Sequence, residues 1–149
     1  MTNKSDALLP SAKEVMQQIA LAEAEEAEKQ ARMLAEAQAE KKALIDALSK
    51  PSGISEQEAI RRAMAIIERG MKNRKTESEV FRFPGQLCTD KGRAINQQEP
   101  GWEKTLTGIP MEIFQLWTDY LQPRGYRISY QIIDFPGGVP GDVGITLSW

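Results

Sequence analysis

Cys88 is the one side chain in this sequence that could act as a strong nucleophile, with Lys91 and Arg93 close enough in the chain to lower its pKa. Nothing completes such a site. There is no histidine, which removes the commonest general base and metal ligand. With a single cysteine, a Cys/His zinc site also lacks its ligands. Cys88 therefore reads as a small, partly buried residue. Seven carboxylates, Asp90, Glu99, Glu103, Glu112, Asp119, Asp134 and Asp142, lie in the C-terminal two-thirds. A glycosidase or metal site needs two or three of them converging in a cleft, and no spacing forces that. Asp134 and Asp142 flank a turn, where capping explains them simply. Phosphate-loop, dinucleotide and nucleophile-elbow motifs are absent. The expectation is a non-enzymatic chain with no catalytic residues, no cofactor and no metal; an enzyme with a carboxylate site is the second alternative.

Two surfaces could instead bind. Arg61, Arg62, Arg69, Lys72, Arg74 and Lys75 form a basic cluster, followed by Arg82 on the next predicted strand. They could contact phosphates, which makes a nucleic-acid-binding protein the first alternative. Against it, Glu56, Glu58, Glu68, Glu77 and Glu79 are interleaved with them, and the net charge is only -2. A solvated helix face is the favoured reading of the cluster. The second surface is a Gly/Pro-stiffened loop over 84–108, with Trp102 between Gly101 and Glu103. Trp102 either plugs the edge of the core or anchors a partner. In the latter case Arg93 and Asn96 stand beside it as partner-binding residues.

The elements that must position these residues divide the chain. All of its Trp, Phe and Tyr lie beyond residue 80, so the core is expected in the C-terminal part. Residues 1–10 are expected to be disordered. Ser11 to Glu14 reads as a capping box, and residues 11–50 hold no Gly or Pro but many Ala, Glu, Lys, Gln and Leu. One helix of roughly 38 residues, about 57 Å long, is expected. Its seam is Ala20, Ala24, Ala27, Ala31 and Leu34, broken at Gln38 and Lys41, with Ile45 and Leu48 apolar near its end. These are the expected partner-binding residues, through self-association as a coiled coil or docking on another protein. The competing reading is a solvated helix held by Glu25–Lys29 and Glu28–Arg32 pairs.

Residues 51–149 are expected to form a compact module. A second capping box, Ser55 to Glu58, starts a helix to about Met71, with Ile60, Met64, Ile67 and Met71 inward. Thr76–Phe83 reads as a strand. Pro110 stands at the first position of a further helix that Pro123 and Gly125 close. Tyr126–Phe135 reads as a strand that changes face at a bulge near Ile133. It forms a hairpin with a last strand carrying Val143, Ile145, Leu147 and Trp149 inward. The fold class is α+β: a long N-terminal Ala/Glu-rich helix, then two helices packed on a three-stranded, mainly antiparallel sheet. Phe-Pro-Gly occurs at 83–85 and again at 135–137, as shared turn chemistry.

The stretch of helix closing at Gly125-Tyr126, strand Arg127 to Tyr130, turn, and Ile145 to Trp149 resembles small uncharacterised α+β proteins of bacterial viruses and prophages. The resemblance covers about the last quarter of the chain and implies an accessory or assembly protein. It transfers no catalytic residue, and the long Phe135–Gly141 turn departs from the pattern. With a single cysteine and no signal-like apolar segment in 1–10, the expected location is the cytoplasm, or a host cytoplasm or virion. No membrane partner is expected.

Overall fold

The structure, a computed structural model, describes residues 8–149. The expectation for residues 1–10 therefore falls largely outside the described residues. The chain divides into two units, one ending at Ala43 and one running Leu44–Trp149. The boundary thus lies within the first helix and not at residue 51.

Helix α1 spans Ala12–Ser49. Ser11 Oγ accepts from the Glu14 amide at 3.1 Å, and the Ser11 amide donates to Glu14 Oε2 at 3.3 Å. This is the expected reciprocal cap. Pro51 follows closely, and the Ser49 hydroxyl donates to the Asp46 carbonyl at 2.8 Å. No α1 side chain is buried.

The second unit is α+β. Its elements are α2 (Glu56–Lys72), β1 (Glu77–Pro84), α3 (Arg93–Gln97), α4 (Gly108–Leu116), β2 (Arg127–Ile132) and β3 (Asp142–Ser148). The sheet order is β1-β3-β2, with both pairings antiparallel. Val143, Ile145 and Leu147 on the central strand β3 are buried, and the first two share one core cluster with Phe83, Tyr130 and Ile95. Alternation places them on one face, as β-sheet pleating requires. α2 packs on β1 and α4, and α3 packs on β2.

Several local expectations are corrected. The bulge lies in β1 and not in β2: the β1–β3 register shifts between Glu79 and Phe81, so Val80 and Phe81 both pack on the core. Ile133 simply continues the pleat, and its side chain covers Gly144 on the other face. β2 ends at Ile132, although the Ile133 amide still donates to the Asp142 carbonyl at 2.8 Å.

In α2 the inward face is rotated. Met64 and Met71 are exposed, whereas Gly70 is buried. Its capping box is only half made. Ser55 Oγ accepts from the Glu58 amide at 3.2 Å, but the Glu58 carboxylate turns to Arg61 and Arg62 at 3.1 and 3.4 Å.

Residues 84–108 are not an irregular loop. They contain 3₁₀ turns at Gly85–Leu87 and Trp102–Thr105 around α3. Leu87, Cys88, Ala94, Ile95 and Leu106 are buried core residues. The Asp90 carboxylate organises the segment by accepting from the Gly92 and Ala94 amides at 3.1 and 2.9 Å. α4 begins two residues before Pro110 and continues through a π turn, Trp117–Leu121, to a 3₁₀ turn that Gly125 closes. Gly108 has no room for a side chain: a Cβ there would collide with the Leu48 carbonyl oxygen.

Candidate functional site

In α1 the seam residues Ala20, Ala24, Ala27, Ala31 and Leu34 are all exposed, as are Val15, Met16, Ile19, Leu21 and Met33. The Glu25–Lys29 and Glu28–Arg32 pairs do not form; one side-chain bond, Gln30 to Glu26 at 3.4 Å, takes their place. Ile45 and Leu48 behave differently from the seam. Both are half-buried and pack against the core of the second unit, so they leave the partner-binding set. The break at Gln38 and Lys41 separates them from the seam, and the environment of the helix changes beyond Ala43.

The basic residues do not act as one group. Arg61 and Arg62 pair with Glu58. Arg69 and Lys72 are exposed on the last turns of α2. Arg74 has a left-handed φ of 55°. Its amide donates to Met71 and that of Lys75 to Gly70, a Schellman closure with arginine where glycine is usual. The Lys75 carbonyl accepts from Trp149 Nε1 at 3.0 Å. Arg82 stands apart: its guanidinium lies 2.9 Å from Asp142 and 3.5 Å from Asp134. The hydrogen bond to Asp142 raises the Arg82 pKa against a smaller lowering by burial.

Asp134 and Asp142 do come together, but as a turn clamp. Asp134 Oδ1 accepts from the Asp142 amide at 2.7 Å, and the Arg82 guanidinium bridges the two carboxylates. Among the described residues no group of three or more Cys, Asp or Glu is arranged to hold a metal ion. Cys88 is buried, and burial pushes its thiol up to about 11; a hydrogen bond with Thr105 lowers it, and the Asp90 charge raises it slightly. At neutral pH it is a protonated thiol and a weak nucleophile.

The 84–108 residues separate in the same way. Trp102 is half-buried, with its ring centroid 4.9 Å from that of Tyr130 and 5.6 Å from that of Phe114. It plugs the core. Arg93 pairs with Glu99 at 2.8 Å, and Asn96 is exposed.

A half-open cleft of about 460 Å³ between α2, α4 and the sheet is not anticipated by the sequence. Ala59, Ala63 and Ile66 of α2 line one wall; Phe81, Ile128 and Leu147 line the sheet side. At its mouth the Tyr120 hydroxyl donates to Glu56 Oε2 at 2.9 Å, which raises the Tyr120 pKa. The Ser52 amide donates to Glu112 Oε1 at 3.1 Å. A smaller cleft of about 280 Å³ adjoins it, sharing Ala63, Leu116, Tyr120 and Leu121. The only trace in the sequence is the pair of alanines on the inward side of α2, which leaves space where larger residues would fill it.

No helix among the described residues is long and apolar enough to cross a membrane. No protein-family model, no curated protein and no solved structure matches the chain.

Proposed function

We propose that this chain is a non-enzymatic interaction or assembly protein, with residues 12–43 associating with a second copy or docking on a partner protein, and the α+β unit as a further contact surface. One observation carries the reading. A stretch of 32 helical residues buries none of its side chains, although Met16, Leu21 and Leu34 are among them at 63%, 56% and 60% exposure. Helix formation is costly to nucleate, and helices in proteins draw most of their stability from packing one face. The i,i+4 ion pairs that could support a solvated helix are not made. Association would cover the seam at Ala20, Ala24, Ala27, Ala31 and Leu34, where small residues allow close approach but bury little area each. The C-terminal resemblance to phage and prophage proteins agrees with an accessory or assembly role.

Far-ultraviolet circular dichroism over a dilution series tests this. The helical signal of the full chain should fall on dilution, while that of a chain of residues 44–149 should not change. Equal and concentration-independent helicity per residue of 12–43 would remove the basis of the proposal.

A further inference from the structure

We propose that the cavity between α2, α4 and the sheet binds an amphiphilic amine, with an apolar tail inside and an ammonium head at the mouth. Its volume of about 460 Å³ falls in the roughly 300–1,000 Å³ range of small-ligand sites. The cleft is half open, and an apolar occupant would withdraw its largely apolar lining from water. Ile66, Phe81, Ile128 and Leu147 give buried water few hydrogen-bond partners, so the interior suits a hydrocarbon tail.

The mouth selects the head group by charge. Three carboxylates, Glu56, Glu112 and Asp119, line the cavity against one cation, Arg62. That cation already pairs with Glu58 at 3.4 Å. Glu56 accepts from Tyr120 and Glu112 from Ser52, and each carboxylate keeps lone pairs to spare. An ammonium meets net negative charge and open acceptors there, whereas a fatty carboxylate meets repulsion. The Tyr120–Glu56 and Ser52–Glu112 bonds also tie the 52–56 segment to the α4 region at two points.

Titration calorimetry of the full chain with dodecylamine and dodecanoate, both below their micelle concentrations, tests the proposal. Dodecylamine should bind one per chain, and dodecanoate roughly tenfold or more weakly. Ala63→Phe should fill the space and abolish binding with the circular dichroism spectrum unchanged. Should that variant misfold, Asp119→Asn with Glu112→Gln still decides the matter: it should weaken dodecylamine and leave dodecanol unaffected. Equal or tighter binding of dodecanoate, no binding of dodecylamine, or dodecylamine binding that survives both sets of substitutions would overturn the assignment.

Discussion

A Cβ atom at Gly70 would lie 2.5 Å from Cη2 and Cζ2 of Trp149. The indole therefore rests on the bare backbone of α2. It is held there by its Nε1 bond to the Lys75 carbonyl at 3.0 Å and by the Trp149 amide bond to Thr76 at 3.0 Å. This contact joins the end of α2 to the end of β3, and it explains why the apolar periodicity of α2 mispredicts its inward face.

Gly70→Ala should destabilise the second unit by about 1–3 kcal/mol through overpacking, despite the ~1 kcal/mol by which alanine favours a helix interior. In a Trp149→Ala background the same substitution should become neutral or stabilising. Urea unfolding of the four members of the cycle measures the coupling. Additive effects would mean that the ring moves aside freely.

Leu48→Ala should lower the stability of the second unit by about 1–2 kcal/mol, because it removes half-buried packing against the core. Leu34→Ala, at a fully solvated seam position, should leave that stability unchanged. Tryptophan fluorescence in urea separates the two effects cleanly, since Trp102, Trp117 and Trp149 all belong to the second unit. By the same reasoning, a chain starting at Leu44 should unfold at higher urea than one starting at Pro51.

The legibility of this fold followed the range of the interactions that set each part. The α1 cap could be read because Ser11 and Glu14 sit three residues apart, and the β2–β3 hairpin because its apolar alternation is local. Residues 84–108 looked irregular because Leu87, Cys88, Ile95 and Leu106 reach the core with no helical or strand period. The bulge at Val80 depends on its register against β3, which nothing near it in the chain encodes. Among the candidate site residues, Ala20 to Leu34 lie on a stretch of helix that is exposed on every face, whereas Ile45, Leu48 and Trp102 are engaged by the core. The cavity was invisible because its walls come from elements far apart in sequence.

Cys88 gives a pH prediction. Burial raises the thiol from 9.0 to about 11 in the folded chain. Between these values the folded state keeps a proton that the unfolded state has released. Stability from this group is therefore complete below about pH 9 and is lost as pH rises through 11, by about 2–3 kcal/mol. The difference in unfolding free energy between the native chain and Cys88→Ala, followed from pH 8 to 11, isolates it from other titrating groups. A difference independent of pH would contradict the assignment. The native thiol should also resist iodoacetamide at pH 8 and react fully in urea.

The central claim is that residues 12–43 take their apolar contacts from another chain. Sedimentation equilibrium of the full chain at tens of micromolar tests self-association directly. A mass that rises with concentration to a multiple of 16.7 kDa, and that falls back to a single chain when Ala24 and Ala31 are both changed to Asp, is the predicted result. A constant 16.7 kDa with helicity undiminished on dilution would contradict it.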